Sequence, residues 1–155
     1  GGAMAPQLDP IRRFFDALEA HDLDAAMRLT GSGFSVEAPG HYPLSAADFC
    51  KTQRAIWAAF PDLTYNARDI RETLSLGEAT VQLSGTFLHD LALPWTDIPV
   101  VPCNGKRLTL PPERIGFTLE WGEILSVRTV SLTAYGLLGV LEPVGVTVPP
   151  PGIMG

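Results

Sequence analysis

The chain has 155 residues, of which 46% are hydrophobic and 18% are charged, and its formal net charge is −6. This length predicts a single domain with a substantial core, and an acidic chain without a basic run argues against nucleic acid and anionic membranes as partners. No apolar run approaches the roughly 18 residues of a membrane span and no signal peptide is visible, so we expect a soluble, cytoplasmic protein with two buried, reduced cysteines, Cys50 and Cys103.

The two ends of the chain differ in composition from the rest. Residues 1–4 are typical of an expression scar followed by the start Met, and they carry no structural argument. Residues 5–141 are expected to form one domain. Residues 142–155 form a Pro/Gly-rich tail that is either disordered or lies across a partner.

Three stretches have the spacing of helices. Asp9 followed by Pro10 is a capping residue before Pro at the first helical position. Asp22 is placed to cap a second, short helix, and Ser45 to begin a third. The first helix has one apolar face, formed by Ile11, Phe14, Phe15 and Leu18, and the third has an aromatic one, formed by Phe49, Ile56, Trp57 and Phe60.

Other stretches alternate between apolar and polar residues, as strands do. They are residues 34–38, residues 63–70 and 81–87 as a hairpin in which Gly77 turns the chain, and a hairpin over residues 107–135. Residues 91–106 form an apolar, Pro-rich loop that covers a pocket mouth, a neighbouring subunit or part of the core. The order predicts the α+β class, with three N-terminal helices packed on a curved antiparallel sheet that together form a cone around a pocket.

The last hairpin contains an unusual pair of charged residues. A tight turn at residues 120–123 places Leu119 opposite Ile124 and Ile115 opposite Arg128. Glu113 and Arg128 then become diagonal neighbours on one apolar face, with backbones roughly 7–8 Å apart. Pro111 and Pro112 interrupt this strand, so we expect an edge or a bulge there.

Charged groups on a core-facing surface cost several kcal/mol unless they are paired or lie in a wet cavity. One interpretation is that this face lines a ligand pocket. The other is a structural ion pair, or a sheet end where both groups reach water. The sequence leaves both open.

Six short motifs, in order, carry a family resemblance over residues 10–141. They are Ala38-Pro39-Gly40, Phe60-Pro61-Asp62-Leu63, Gly85-Thr86, Pro102-Cys103-Asn104-Gly105-Lys106, Gly122-Glu123-Ile124 and Gly136-Leu137-Leu138. With these motifs the sequence resembles the SnoaL-like polyketide cyclase family, within the nuclear-transport-factor-2-like fold. The resemblance implies a cone-shaped α+β barrel, commonly a homodimer, with a hydrophobic cavity for a small organic molecule.

The family's catalytic groups are not matched. Ring-closing members use an Asp near the end of the last strand with a His or Asp from the preceding strand. The first position falls on Leu132 or Thr133, and the second on Arg114 or Ile115. Glu113 remains as a candidate general base toward an acidic C–H, and Arg128 as the group that stabilises the enolate.

Three hypotheses follow: a proton-transfer enzyme (cyclase or isomerase) on a small hydrophobic substrate, a non-catalytic small-molecule binding protein with the same cone, and a dimerisation domain. No metal and no cofactor are expected, because the three His residues lack ligand spacing and no phosphate-binding loop occurs. The predicted pocket lining is largely aromatic and comprises Phe14, Trp57, Phe60, Tyr65, Phe87, Trp95, Ile115 and Phe117.

Overall fold

A computed structural model of the chain describes residues 9–37, 43–94 and 99–129. Helices and strands are mixed along the chain, which confirms the predicted α+β class. In order they are α1 (Pro10–Glu19), α2 (Leu23–Met27), β1 (Thr30–Glu37), β2 (Leu44–Ser45), α3 (Ala46–Ala59), β3 (Arg68–Glu72), β4 (Leu76–Val81), β5 (Ser84–Thr86), β6 (Arg107–Thr109), β7 (Glu113–Glu120) and β8 (Glu123–Thr129).

Six of these strands form one sheet in the order β2-β1-β8-β7-β4-β3. In the interior of this sheet, β7 pairs antiparallel with both β4 and β8. The strand β1 runs parallel to β8. β5 and β6 form a separate two-stranded ribbon. The strands predicted on either side of residues 120–123 form β7 and β8 near the middle of the sheet. The predicted hairpin of residues 63–70 and 81–87 is confirmed only in part: residues 68–70 belong to the edge strand β3, which pairs with β4, and residues 84–86 lie in the ribbon.

The helix starts follow local hydrogen-bonding rules at two of the three predicted caps. Asp22 accepts the backbone N–H of Ala25 at 3.0 Å, and Ser45 Oγ accepts that of Asp48 at 3.1 Å. Asp9 makes no side-chain cap and has a φ of 55°, so the prediction of a capping bond there is wrong. Pro10 alone marks that start, since its fixed φ suits the first helical position.

The core lies between α1 and α3 and one face of the six-stranded sheet. We call this the inner face of the sheet. Phe15 of α1 packs edge-on against Phe117 of β7, with ring centroids 5.9 Å apart. Phe14 contacts both Phe49 of α3 and Phe117. The apolar stripes of the helices and the alternating strand residues thus bury each other, which is the main stabilising term.

Gly77 does not turn the chain; it lies inside β4. The turn falls on residues 73–75, where Thr73 Oγ1 accepts the backbone N–H of Leu76 at 3.1 Å. A Cβ at position 77 would overlap Ile11 Cδ1. The glycine is therefore needed for the close approach of α1 to the sheet.

Two further expectations are corrected and several lie outside the described residues. Pro111 and Pro112 do not form a bulge in one strand but separate β6 from β7, which belong to different sheets. Cys103 is exposed and Cys50 half-buried, so the thiols are not both buried. The predicted tail, Leu132 and Thr133 fall outside the described residues.

Candidate functional site

The turn between β7 and β8 sets the register of the candidate site. Trp121 and Gly122 form it with φ values of 54° and 80°, and Leu119 lies opposite Ile124 as predicted. The register then shifts, because Thr118 pairs with Ser126 and leaves Leu125 as the extra residue of a β-bulge. A bulge moves every later residue of that strand to the other face.

Arg128 consequently lies on the outer face of the sheet. It is opposite Gly116, and Ile115 is opposite Thr129, so the predicted pairing of Ile115 with Arg128 is wrong by one residue. Arg128 Nη1 donates to Thr118 Oγ1 at 2.7 Å, and its guanidinium lies over Gly116. The structure therefore does not bring Glu113 and Arg128 together.

Glu113 lies on the inner face. It is the first residue of β7, directly opposite Val81, which is 4% exposed. It shares its side of the strand with Ile115 and Phe117, both fully buried. One carboxylate oxygen of Glu113, Oε1, is also buried. The acidic residue of the predicted pair thus faces the apolar interior.

Thr129 occupies the inner position that the sequence assigned to Arg128. It is 5% exposed and opposite Ile115, which makes it the diagonal neighbour of Glu113 on the inner face. Its Oγ1 is buried and has no hydrogen-bond partner among the residues the structure describes. A carboxylate and a hydroxyl, rather than an ion pair, therefore mark this end of the inner face.

Most of the predicted pocket-lining residues are core residues. Trp57 is half-buried, and Trp95 lies outside the described residues. Phe60 and Phe87 stack with ring centroids 4.8 Å apart. Six of the eight predicted lining residues are at most 1% exposed: Phe14, Phe60, Tyr65, Phe87, Ile115 and Phe117.

A chain of three polar side chains crosses this apolar interior. Trp57 Nε1 donates to Tyr65 Oη at 2.8 Å, and Tyr65 Oη donates to Gln53 Oε1 at 2.5 Å. Gln53 is 0% exposed, and no described residue accepts a hydrogen bond from its Nε2. Burial raises the pKa of the Tyr65 hydroxyl, so the hydroxyl stays protonated and can donate.

Sequence reasoning missed Gln53, although a signal was present. The residue follows Phe49 by four positions and precedes Ile56 by three, so it falls on the apolar stripe of α3. A polar residue on such a stripe must find partners in the core. His21 is half-buried and stacks on Trp57 with ring centroids 4.5 Å apart.

A separate cleft of about 470 Å³ opens at the surface between the helices and the β7–β8 turn. Trp121, which is 83% exposed, borders it. None of the predicted site residues does, since its lining comprises Arg13, Ala17, Ala25, Arg28, Leu29, Trp121, Gly122 and Glu123.

The described parts of the chain contain no group of three His, Cys, Asp or Glu side chains that could hold a metal ion. Within the same ranges, no helix is long and apolar enough to cross a membrane.

Several solved structures share this fold, and two of the three described here are named as polyketide cyclases. AclR, a proposed hydroxylase from Streptomyces galilaeus, matches with a TM-score of 0.67 and 16% identity over 90% of this chain and 95% of its own. IdmH, a proposed polyketide cyclase from Streptomyces antibioticus, matches with a TM-score of 0.63 and 20% identity over 85% and 96%. A proposed SnoaL-like polyketide cyclase from a Jannaschia species matches with a TM-score of 0.62 and 17% identity over 79% and 82%.

No protein-family model and no curated protein sequence matches the chain. The structural matches establish that the chain shares its mixed α+β fold with proteins named as SnoaL-like and other polyketide cyclases.

Proposed function

We propose that this chain is a SnoaL-like polyketide cyclase family protein and a proton-transfer enzyme, a cyclase or isomerase, for a small hydrophobic organic substrate. The observation that carries the proposal is Glu113, a carboxylate at the inner face with one buried oxygen. A carboxyl group beside apolar residues is a common arrangement at functional sites, where it can serve as a general base. The proposed chemistry uses no cofactor.

The substrate is proposed to lie in a hydrophobic cavity inside a cone that the three helices and the curved sheet enclose. The described members of the predicted lining would form its wall: Phe14, Trp57, Phe60, Tyr65, Phe87, Ile115 and Phe117. Two buried polar atoms without a described partner, Thr129 Oγ1 and Gln53 Nε2, support this location. Buried polar atoms in proteins nearly always pair with protein, water or ligand.

In the proposed reaction, Glu113 removes a proton from a C–H next to a carbonyl group. The electron pair of that bond moves into the adjacent C–C bond, and the carbonyl oxygen becomes an enolate oxygen. In a ring closure, the α-carbon of the enolate attacks a second carbonyl carbon, and the alkoxide that results takes the proton back from Glu113. In an isomerisation, a conjugated dienolate takes that proton from Glu113 at a different carbon, and the carbonyl group re-forms. General-base catalysis of this kind contributes about 10²–10⁴-fold.

Arg128 has no direct part in this scheme, because its guanidinium lies on the outer face against Thr118. The enolate oxygen would instead be stabilised by neutral donors at the inner face. The buried hydroxyl of Thr129, the diagonal neighbour of Glu113, supports such a role. Neutral donors preorganised in a dry site can stabilise such charge.

The experiment is deuterium exchange of 2-tetralone in D2O, followed by proton NMR. We expect wild-type protein to accelerate exchange next to the carbonyl, and Glu113→Gln to lose about 10²–10⁴-fold of that acceleration with an unchanged circular dichroism spectrum. Arg128→Met is the matched control, since it alters a charged residue of the same hairpin on the outer face. Full exchange activity in Glu113→Gln would exclude Glu113 as the base.

The second candidate function is a binding protein that has the cone but no catalysis. The position of Arg128 favours it, because the predicted cation for the enolate is not at the inner face. Wild-type protein that binds an aromatic ketone but exchanges 2-tetralone no faster than buffer would establish this function.

The family resemblance also supports a homodimer, which we propose as the solution state. Light scattering on a sizing column at micromolar concentration tests it, and a monomer would contradict it.

A further inference from the structure

The Trp57–Tyr65–Gln53 chain has only one consistent direction of hydrogen bonding. The indole N–H of Trp57 can only donate, so Tyr65 Oη accepts it at 2.8 Å. The phenolic proton of Tyr65 then needs an acceptor, and the nearest is Gln53 Oε1 at 2.5 Å. The opposite orientation of the Gln53 amide would place a second donor on Tyr65 Oη and leave the phenolic proton without this acceptor.

This direction of hydrogen bonding fixes the orientation of the Gln53 amide, so that its NH2 group is the last group of the Trp57–Tyr65–Gln53 chain. Gln53 is 0% exposed, so bulk water does not reach it. Nε2 has no acceptor among the described residues. A buried donor without an acceptor is costly, and the chain behind it holds the amide in this orientation.

The Trp57–Tyr65–Gln53 chain ends on the same side of the sheet as Glu113. Tyr65 lies beside the end of β4, where the backbone N–H of Gln82 donates to its carbonyl oxygen at 2.8 Å. Val81, the preceding residue, is directly opposite Glu113. The ring of Tyr65 also packs against Phe15, which contacts Phe117 of the inner face.

We infer that Gln53 is a ligand-binding residue whose Nε2–H donates a hydrogen bond to the carbonyl oxygen of the bound molecule. The ligand class is therefore an apolar molecule that carries a carbonyl group, rather than a hydrocarbon. For this hydrogen bond Tyr65 and Trp57 are positioning residues, because they influence the carbonyl oxygen only through the orientation of the Gln53 amide. This inference rests on the proposed function, since it assumes a ligand at the inner face.

The test compares two probes of nearly equal shape, 9-fluorenone and fluorene. 9-Fluorenone has no hydrogen on the carbons next to its carbonyl, so its binding is measured without proton transfer. We expect wild-type protein to bind the ketone about tenfold more tightly than the hydrocarbon, and Gln53→Met to bind both equally. Thr52→Val is the matched control, because the Thr52 hydroxyl on the same helix is committed to Asp48 O at 2.7 Å, and it should keep the ketone preference.

The infrared carbonyl band of bound 9-fluorenone gives a second readout that needs only the wild-type protein. A hydrogen bond from Gln53 lowers the C=O stretching frequency relative to an apolar solvent, and Gln53→Met should restore the apolar value. A band at the apolar frequency in wild-type protein would overturn the inference even if Gln53→Met did not fold.

The outcomes separate this inference from the proposed function. If wild-type protein binds neither probe, the ligand site itself is wrong. If it binds both equally, or if Gln53→Met keeps the ketone preference, the site stands and the role of Gln53 is wrong. In that case a buried water molecule is the better partner for Nε2.

Discussion

A single extra residue, Leu125, decides which side chains of β8 reach the interior. Without the bulge the inner residues would be Ile124, Ser126 and Arg128; with it they are Ile124, Val127 and Thr129. The bulged register places two neutral groups, Val127 and Thr129, inside and leaves the guanidinium of Arg128 outside. This avoids the cost of burying a charge.

The sequence of β8 does not reveal this bulge, because both faces of a regular strand here would contain apolar residues. Ile124 lies on one face of such a strand, and Leu125 and Val127 lie on the other. The regular register would bury the charge of Arg128, and the bulged register does not. This difference identifies the correct register only when it is known which face of the sheet is open to solvent. The turn and the inner positions of β7 were predictable since Gly122 and a clear alternation mark them.

The turn residue Trp121 is strained and yields a stability prediction. Its φ is 54° and its side chain is 83% exposed, so it has the cost of a left-handed conformation with little burial. Asn is the preferred residue before Gly in such a turn. Trp121→Asn should raise the free energy of unfolding by about 1 kcal/mol, measured by urea denaturation.

Trp121→Phe is the control, because it keeps an aromatic side chain in the same backbone conformation and should give no such gain. A lower urea midpoint for Trp121→Asn would mean that the indole makes a stabilising contact that outweighs the strain.

At the scale of elements, Asp62 joins the β5–β6 ribbon to the loop after α3. Its carboxylate accepts the backbone N–H of Thr86 at 2.7 Å and the Thr86 hydroxyl at 2.8 Å, and Arg107 lies 3.4 Å away. The backbone N–H of Thr86, foremost among these contacts, lowers the pKa of Asp62 below its usual value. The ionised form is therefore the one that holds the ribbon.

This pKa shift predicts how stability depends on pH. A carboxyl whose pKa is lower in the folded state stabilises above its unfolded pKa, and the effect is lost as pH falls through the folded value. Wild-type protein should be more stable than Asp62→Asn at pH 7, and the difference between their urea midpoints should shrink below the ordinary pKa of 3.8. A difference that stays constant down to pH 2 would show that the charge of Asp62 does not contribute.

The sequence located the helices better than the strand boundaries. Pro10, Asp22 and Ser45 mark helix starts by local chemistry. Gly77 was assigned to a turn because glycine is common there, whereas its role depends on Ile11, which lies 66 positions earlier in the printed sequence and contacts it only in the fold. Contacts between distant residues of this kind are not encoded in any local pattern.

At the scale of the whole molecule, the fold class follows from the sequence more readily than the positions of the candidate site residues. The helix stripes and strand alternation predicted the α+β class, and the inner position of Glu113 follows from the parity of β7. Arg128 was placed on the wrong face, and Gln53 was missed. Both depend on tertiary facts, a register shift in one case and the burial of one polar side chain in the other.

We propose that a small apolar molecule binds at the inner face of the sheet beside Glu113. One alternative place in the described parts of the chain is the surface cleft beside Trp121. These two locations can be distinguished by NMR, because Ile115 is a fully buried reporter of the first and Leu29 borders the second.

The most direct measurement is therefore a methyl NMR titration of wild-type protein with 9-fluorenone. We expect the Ile115 and Val127 methyl signals to shift, and the Leu29 methyl and Trp121 indole N–H signals to stay unchanged. Shifts confined to Leu29 and Trp121, with Ile115 unaffected, would contradict binding at the inner face and place the ligand at the surface cleft.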